Sequence, residues 1–591
     1  MKRIYSYDVW DTLIKRHCPP EMTLKTSLYF FCLYFDFHNH DYIYNEIRKK
    51  EKKHYQEKKE YSIFKLILDV IKEKHSDIEK NKLLEEKWNE IYVNIEKNAT
   101  YPNKEILDLV HKDEGYKIYI SDFYLKKDLL DKILKHHNIN MNKGFVSIDY
   151  NKSKYTGELY DIVYSNLAYE FDSWIHTGDN INSDIKMAQI KKISTRFVKT
   201  KQKHTISIKN KLSDEKKIAI ILLSFCKKIL EKSVELKCSE ICFFTREGIF
   251  FKKIFDIYLK SLSSITEFNL KTKITPVSRI ATLNLRLNEN NDLLGFEDAL
   301  TQYGYDIDTF LSFFDACDSF EGLSEKYATL QKLLNDKKSQ EYSSLISFIK
   351  NKKKNTLGYL NHIGFTNNEP KLIVDIGWRG SIQDNLSSIK DSNIIGGCYL
   401  GLSKCYNTQN SNNKFGTIFD QNITYNKWAD KGINLWETIF NGKGGSVIGY
   451  KDTLITTKIN APEEKFLDIV INFQEKIKNE FVKILDDTLK LKLPIDDIDS
   501  LAINYYKEII TKPSSELASL YLVSIHNDTY GENSFKKKIV KISFSELIKS
   551  FFNKKTKRKI SAIIKNNGWR ESILYSSKTT LSSKLSALLI K

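Results

Sequence analysis

Proline and glycine are scarce in this sequence, with 8 prolines and 23 glycines among 591 residues. Collagen-like repeats and flexible linkers need far more of both, so their scarcity excludes those classes of protein. The sequence also lacks an uninterrupted apolar run of about 18 residues, the length that a helix needs to cross a bilayer. A strand pattern begins already at Arg3 and leaves no room for a secretion signal. We therefore expect neither a secreted nor a membrane-spanning protein.

Cysteine is present but not in any metal-binding or disulfide pattern. The eight cysteines are scattered and form no CxxC pair: Cys18, Cys32, Cys226, Cys238, Cys242, Cys317, Cys398 and Cys405. Such spacing is typical of reduced thiols, so we expect a cytoplasmic protein.

The net charge of +18 is concentrated in the C-terminal tail. Fifteen lysines and arginines but only two acidic residues lie between Phe535 and Lys591. Apolar residues recur there at helical spacing: Ile542, Phe544, Leu547, Ile548, Phe551 and Phe552. A basic amphipathic helix of this kind favours contact with anionic lipid at the inner membrane face, or with an acidic partner, but a solvated face on a docked helix fits equally well. No nucleic-acid-reading motif accompanies the charge, so we expect no nucleic-acid partner.

The length predicts two or three domains. Residues 1–200 alternate strands with helices, apart from a helical insertion at about 17–102, and predict an α/β fold with a doubly wound parallel sheet. A polar, basic stretch near 199–216 predicts a linker between the two domains. Residues 215–530 again mix strands and helices and predict a second α/β domain with helical additions, and residues 531–591 form the tail.

Four polar segments of the first domain each follow an apolar strand, and parallel strands bring such ends into one crevice. Asp8 could attack phosphorus and form an aspartyl-phosphate, provided that a cation relieves the repulsion between two anions. The Ser121 hydroxyl could donate to a phosphoryl oxygen, and Lys154 could neutralise charge. Asp179 and Asp184, five residues apart, offer oxygen ligands for Mg²⁺.

In this order the four segments resemble the haloacid dehalogenase (HAD) superfamily over roughly residues 1–200. The resemblance implies that Asp8 is the nucleophile, Ser121 a phosphate ligand and Lys154 a charge clamp. It further implies a magnesium site made by Asp8, the backbone carbonyl of Trp10, Asp179 and Asp184. The helical insertion is similar to the cap that closes over the substrate in that family.

One position departs from the family pattern. Its phosphatases usually carry a second aspartate two residues after the nucleophile, acting as acid and base, but this sequence has Trp10 there. Asp11 follows at the next position. Two interpretations stay open: Asp11 holds the loop, or it replaces the missing acid.

A second set of polar residues follows the strands of the second domain. Its members, at strand ends and in the loop after Leu372–Val374, are Arg246, Glu247, Arg279, Asp375, Gly377, Arg379, Gly380 and Ser381. A glycine loop that enters a helix offers backbone N–H groups to an anion, and arginine adds a forked contact. An ordinary strand-to-helix turn with glycine at positive φ explains the loop equally well when it is taken alone.

This half resembles type I phosphoribosyltransferases, and the whole chain resembles proteins of bacterial capsule and O-antigen assembly, including two-module ribofuranosyltransferases. The resemblance implies transfer of 5-phosphoribose from phosphoribosyl pyrophosphate to a glycan acceptor that could be lipid-linked, followed by removal of the 5-phosphate by the first domain. Asp375 would hold ribose hydroxyls, Arg379, Gly380 and Ser381 the 5-phosphate, and Arg246 with Arg279 the pyrophosphate. Two alternatives remain: a sugar-phosphate phosphatase whose second half only binds substrate or a partner, and a non-catalytic scaffold in polysaccharide assembly.

Overall fold

The structure is a computed structural model of the chain. It describes residues 2–37, 39–56, 61–73, 81–167, 171–199, 212–287, 296, 306–314, 316–390, 392–405, 413–458, 461–523, 525–526, 536–537, 549, 552–565 and 569–575. The chain folds into two compact units. The first comprises residues 1–210, 260–268 and 485–496, and the second comprises residues 211–259, 269–484 and 497–591.

A five-stranded parallel sheet forms the centre of the first unit, in the order β5-β4-β1-β6-β7. These strands are β1 (Arg3–Tyr7), β4 (Tyr116–Ser121), β5 (Lys143–Val146), β6 (Ser173–Gly178) and β7 (Ser194–Phe197), and a short antiparallel pair adds β2 (Ile14–Arg16) and β3 (Thr100–Pro102). Four of the five β1 residues are buried, as expected for a parallel strand that is covered on both faces. The strand order reverses at β1, so a crevice opens at the carboxyl ends of β1 and β6.

Helices α1 to α4 lie between β2 and β3, in the stretch for which the sequence predicts a helical insertion. The helices of the first unit are α1 (Pro20–Phe35), α2 (His40–Gln56), α3 (Ile63–Lys72), α4 (Asn81–Ala99), α5 (Lys104–Lys112), α6 (Lys127–His136), α7 (Ser147–Tyr150), α8 (Glu158–Leu167) and α9 (Met187–Ile190), with a π-helical turn at Ile181–Lys186. The strand β5 ends at Val146, and Ser147 begins the single turn of α7.

A buried ion pair joins α4 to β2. The Arg16 guanidinium donates to both carboxylate oxygens of Glu96, at 3.1 and 3.0 Å, and Glu96 is fully buried. The Tyr92 hydroxyl donates to the same carboxylate at 3.0 Å. Because β2 follows the Asp8 loop in the chain, this network fixes the end of the helical insertion next to that loop.

The second unit contains another five-stranded parallel sheet, in the order β12-β11-β10-β8-β9. Its strands are β8 (Glu240–Phe244), β9 (Lys271–Thr275), β10 (Lys371–Asp375), β11 (Ile394–Tyr399) and β12 (Lys414–Gly416). All five residues of β10 are buried. Counted in chain order, this is the 2-1-3-4-5 arrangement of a doubly wound sheet, whose order reverses between β8 and β10. The α/β class predicted for both parts of the chain is confirmed.

Helices and two short hairpins complete the second unit. They are α10 (Asp214–Glu235), α11 (Gly248–Leu262), α12 (Arg279–Leu283), α13 (Ile307–Ser312), α14 (Leu323–Lys326), α15 (Leu330–Asn335), α16 (Gln340–His362), α17 (Ser381–Leu386), α18 (Ile433–Phe440), β13 (Ser446–Lys451), β14 (Leu454–Lys458), α19 (Ala461–Leu489), α20 (Ile498–Thr511), α21 (Ser515–Val523), β15 (Ile525–His526), β16 (Lys536–Lys537), α22 (Lys554–Lys565) and α23 (Arg570–Tyr575), with single 3₁₀ turns at Asn284–Arg286 and Asp318–Phe320. The last residues of α11 and α19 belong to the first unit, as does most of a 3₁₀ turn at Ile495–Asp497. The linker predicted near 199–216 falls mostly on residues outside the described ranges, and α10 already begins at Asp214.

Part of the predicted tail packs into the second unit. Trp569 is buried, its indole N–H donates to the carbonyl of Ile510 at 2.9 Å, and its ring contacts Tyr521 edge-on. Of the apolar residues that suggest an amphipathic helix, Ile542, Phe544, Leu547, Ile548 and Phe551 lie outside the described residues, and Phe552 is exposed. Membrane contact through the tail therefore stays a prediction. Among the described helices, no stretch is both long enough and apolar enough to cross a lipid bilayer.

Candidate active site

Asp8 lies at the carboxyl end of β1, in the centre of the first sheet. Its backbone N–H continues the sheet by donating to the Thr177 carbonyl of β6 at 2.8 Å. Ser121 ends β4 on one side, and Asp179 follows β6 on the other. The register of three parallel strands therefore brings three of the four predicted segments to one edge of the sheet.

Three carboxylates meet at this edge. Asp8, Asp179 and Asp184 each offer an oxygen atom within 4.8 Å of the other two. Asp184 lies on the π-helical turn, whose first N–H groups, those of Asn182 and Ser183, donate to the Asn180 side chain. Three oxygen donors at this spacing fit a hard divalent cation.

The backbone near Asp184 holds its carboxylate in one position. The Asn180 N–H donates to Asp184 Oδ2 at 2.9 Å. A Cβ atom on Gly178 would lie 2.4 Å from the same carboxylate, so only glycine fits there. The sequence pattern did not single out either residue for a role, although both lie in the predicted segment.

Lys154 bridges two of the carboxylates. Its buried ammonium group donates to Asp8 Oδ1 at 2.5 Å and to Asp184 Oδ1 at 2.6 Å. Burial by itself lowers the pKa of Lys154, but the charges of Asp184 and Asp8 outweigh it and hold that pKa well above its usual value. The predicted charge clamp thus lies between the predicted nucleophile and one predicted metal ligand.

Asp122 holds the backbone of this lysine and was missed as a site residue. Its two carboxylate oxygens accept the N–H groups of Lys154, at 2.7 Å, and Tyr155, at 3.2 Å. Its position beside the Ser121 motif was the only sequence signal, since the contact spans more than thirty residues of chain.

Burial dominates the electrostatics of the three carboxylates. It raises the pKa of Asp8 well above normal; Lys154 opposes this rise and Asp184 adds to it. Asp179 has its pKa raised to about 6 by burial, and then by the charges of Asp11 and Asp184. Burial also raises the pKa of Asp184, but Lys154 and the hydrogen bond from His176 bring it below its usual range. Asp184 therefore keeps its charge most readily, and the cluster as a whole is short of positive charge.

Ser121 has an unused hydroxyl group. The side chain is fully buried, and its Oγ finds no hydrogen-bond partner among the residues that the structure describes. A buried hydroxyl without a partner is costly unless a ligand completes its hydrogen bonds. A phosphoryl oxygen next to Asp8 is a ligand of the right kind.

Trp10 is a packed side chain and offers no acid. The Arg16 guanidinium lies 3.7 Å from the centre of its ring, and the Phe123 ring lies 4.6 Å away on centroids. Asp11 adopts a left-handed backbone conformation with a φ of 60°, and its charge raises the pKa of Asp179. Asp11 is therefore close to the carboxylate cluster, whereas the role of the Trp10 carbonyl as a metal ligand stays a prediction.

Asp375 of the second unit lies in a similar place, at the carboxyl end of β10. It is buried, and the hydrogen bond that its carboxylate accepts comes from the N–H of Ile376, at 2.9 Å. Burial raises the pKa of Asp375 to about 8, Glu247 and Glu437 add to the rise, and Arg279 opposes it. Two further predicted residues, Glu247 and Arg279, therefore lie within electrostatic range of Asp375.

Glu437 is a further member of this group, because its charge also raises the pKa of Asp375. Its carboxylate accepts the indole N–H of Trp378 at 2.9 Å. Arg246 lies next to Glu247, with 3.5 Å between guanidinium nitrogen and carboxylate oxygen.

The glycine loop after Asp375 is only partly as predicted. Gly377 has a φ of 133°, and a Cβ atom there would lie 2.2 Å from the carbonyl oxygen of Gly401. Gly380 has a φ of 66° and precedes Ser381, the first residue of α17. The carbonyl of Arg379 accepts a hydrogen bond from Lys414 at 3.2 Å. Since α17 has six residues, fewer than two turns, the helix-terminus contribution expected for an anion is weak.

No protein-family model matches the sequence, and no curated protein matches it either. Solved structures do match, among them that of the HAD-hydrolase YfnB from Bacillus subtilis, which was crystallised with bound magnesium. The sequence identity is 15%, the TM-score is 0.26, and the match covers 34% of this chain and 92% of YfnB. A likeness of that size carries no argument about activity, so the assignment below depends on the geometry of the site.

Proposed function

We propose that the first unit is a magnesium-dependent phosphomonoester hydrolase that works through an aspartyl-phosphate on Asp8. The observation that carries the proposal is the meeting of Asp8, Asp179 and Asp184, two of which share the ammonium group of Lys154. One ammonium group beside three carboxylates, two of them buried, leaves the cluster under-neutralised, and a divalent ion would correct this. Mg²⁺ would be held by Asp8, Asp179, Asp184 and the Trp10 carbonyl, and it would supply the charge that lets a carboxylate approach a phosphate.

The residues of the site account for both steps of the hydrolysis. A carboxylate oxygen of Asp8 attacks phosphorus, the bond to the leaving oxygen breaks, and that oxygen takes a proton from an acid. Water then attacks phosphorus and gives a proton to the conjugate base of the acid, the bond between phosphorus and the Asp8 oxygen breaks, and inorganic phosphate leaves Asp8 as a free carboxylate. Lys154 and the Ser121 hydroxyl stabilise charge on the phosphoryl oxygens, and Asp11 is the candidate acid.

Phosphoenzyme trapping tests this proposal directly. A short incubation with a sugar phosphate and Mg²⁺, quenched in acid, is expected to leave a phosphoryl group on the peptide that contains Asp8, as read by mass spectrometry. Chelation of Mg²⁺ is expected to remove both this adduct and phosphate release. Absence of phosphate release and of the adduct across a broad panel of sugar phosphates contradicts the proposal and favours the scaffold alternative.

Asp11→Asn is a clean test of the acid, because asparagine tolerates the left-handed backbone that residue 11 adopts. We expect a rate loss of about 100-fold with a sugar phosphate, whose leaving oxygen needs a proton. With a nitrophenyl phosphate, whose leaving group needs no proton, the first release of nitrophenol is expected to be slowed much less, as read from the burst before steady-state turnover. Equal rates with the parent for both substrates assign Asp11 to holding the loop.

Ser121→Ala removes one hydroxyl from the phosphate site. We expect phosphate release to fall by about 100- to 1,000-fold, as for the loss of one donor to a developing charge. Folding is expected to be unaffected or improved, since the buried hydroxyl has no protein partner in the described structure. A rate within twofold of the parent's removes Ser121 from the site.

A second candidate function belongs to the second unit. We propose that it binds phosphoribosyl pyrophosphate, or another sugar phosphate, at the carboxyl ends of β8 and β10 and transfers its sugar to a glycan acceptor. The grouping of Asp375, Glu247 and Arg279 where the strand order reverses supports a ligand site there. In this proposal the first unit hydrolyses the remaining phosphate and makes the addition irreversible.

Mass spectrometry of a glycan acceptor tests the coupled scheme. After incubation with phosphoribosyl pyrophosphate and Mg²⁺, the parent is expected to yield a pentose adduct and the Asp8→Asn variant a phosphopentose adduct. If no pyrophosphate is released with any acceptor but the first unit still hydrolyses sugar phosphates, the second unit binds substrate or a partner without catalysis.

A further inference from the structure

A hydrogen-bonded series of three side chains, of which Ser6 and His176 are buried and Trp174 is half-buried, runs through the first sheet behind Asp184. The indole N–H of Trp174 donates to Ser6 Oγ at 2.7 Å, and Ser6 Oγ lies 2.8 Å from Nδ1 of His176. On the other side of the ring, Nε2 of His176 lies 3.4 Å from Asp184 Oδ1. The series therefore ends on one of the three carboxylates proposed to hold Mg²⁺.

Strand register creates this series. Ser6 on β1 and His176 on β6 are direct partners in the parallel ladder, and Trp174 lies two residues before His176 on the same face of β6. Ser6 and His176 are fully buried. The Tyr160 ring meets the imidazole edge-on, at 5.4 Å between centroids, and helps to fix its plane.

The hydrogen-bond donors and acceptors of Trp174, Ser6 and Asp184 favour one tautomer of His176. An indole nitrogen can only donate, so Ser6 Oγ accepts from Trp174 and has its own proton to give. Giving that proton to Nδ1 of His176 leaves the ring proton on Nε2, facing Asp184. The opposite tautomer would direct the Nε2 lone pair at a carboxylate that keeps its charge.

With Ser6 donating to Nδ1, the neutral ring with its proton on Nε2 is the form that satisfies both ends of this hydrogen-bonded series.

We infer that His176 is a positioning residue, which orients the Asp184 carboxylate for Mg²⁺ through an Nε2–H that Ser6 and Trp174 keep in place. Three donors then fix Asp184: Lys154 and His176 on Oδ1 and the Asn180 N–H on Oδ2. Partners of this kind, one step behind a metal ligand, set its orientation and basicity. The inference rests on the proposed magnesium site but assigns a role to three residues outside it.

Mg²⁺ titration by calorimetry on the full-length protein tests the inference. Ser6→Ala and His176→Phe are each expected to weaken Mg²⁺ binding by about 10- to 100-fold, the usual loss when such a partner is removed. Trp174→Phe is expected to act in the same direction by a smaller factor. The matched control is Ser233→Ala, a fully buried serine of the second unit whose hydroxyl donates to the Ile229 carbonyl, and its Mg²⁺ affinity is expected to equal that of the parent.

Recovery by excess Mg²⁺ separates positioning from general damage. Ser6→Ala should reach the kcat of the parent once Mg²⁺ is raised by the factor lost in affinity, whereas a distorted site would keep a low kcat at any Mg²⁺ concentration. If Ser6→Ala does not fold, Trp174→Phe provides the same comparison.

The possible outcomes distinguish this inference from the proposed function. Mg²⁺ affinities of Ser6→Ala and His176→Phe within twofold of the parent's overturn the positioning role and leave the phosphatase proposal standing. A parent protein that neither binds Mg²⁺ nor releases phosphate overturns both.

Discussion

Asp8→Asn is expected to lower phosphate release by about a thousandfold or more, because it removes the group that forms the covalent intermediate. Asparagine has nearly the same shape, but its amide is a poor nucleophile and a poor ligand for Mg²⁺. The Asp8 peptide should therefore carry no phosphoryl group after acid quenching. Mg²⁺ affinity should fall as well, since one of three clustered carboxylates is lost. Initial rates with and without Mg²⁺ measure the effect.

The matched control for this variant is Asp161→Asn. Asp161 is an exposed carboxylate on α8 that pairs with Lys191 at 2.6 Å, and exposed pairs contribute little to stability. It should keep the parent's rate. A rate for Asp8→Asn within tenfold of the parent's, with the protein folded, would remove Asp8 as the nucleophile. Residual activity of that size would have to come from another site.

The first site could be predicted from sequence because its chemistry coincides with local patterns. Asp8, Ser121 and Asp179 each follow a short apolar strand, and the ends of parallel strands meet at one edge of the sheet. The contact of Lys154 with Asp8 and Asp184 is longer-range: the sequence predicts that Lys154 neutralises charge at the site, but not that it lies between these two carboxylates.

The residues that support the site have no comparable signal. A lone histidine within a strand, such as His176, is typical of an ordinary core residue. The roles of His176 and Asp122 depend on partners that fold next to them from distant parts of the chain: Ser6 lies 170 residues away from His176, and Lys154 lies 32 residues away from Asp122. Spacing cannot reveal such pairs.

The boundaries of the two units could not be predicted in full from the sequence either. Residues 260–268 and 485–496 belong to the first unit, although each of them lies between two segments of the second unit along the chain. Composition along the chain does not reveal these boundaries, because both segments mix polar and apolar residues as the stretches around them do. Glu437, which reaches the Asp375 group from α18, is likewise far from it in sequence.

Asp375→Asn is expected to stabilise the second unit, and more strongly at high pH. Because burial raises the pKa of Asp375 to about 8, the folded state holds a proton there that the unfolded chain, with a pKa of about 3.9, releases much earlier. The stabilisation given by this proton is complete below the unfolded pKa and is lost as pH rises through 8. Asparagine imitates the protonated carboxyl at every pH. The variant should therefore exceed the parent in free energy of unfolding by about 2 kcal/mol at pH 5.5 and about 5 kcal/mol at pH 9.

Urea unfolding followed by tryptophan fluorescence at the two pH values measures this difference. Asp384→Asn is the contrasting variant, because Asp384 pairs with the buried ammonium of Lys414 at 2.7 Å and its loss leaves that cation uncompensated. It should destabilise the protein at both pH values. A gain for Asp375→Asn that does not grow with pH would mean that the Asp375 carboxyl titrates normally. A gain that grows as expected would mean that the protein keeps, at the switch point of its second sheet, a buried carboxyl that works against its own stability. Such a group is expected where the missing partner is a ligand.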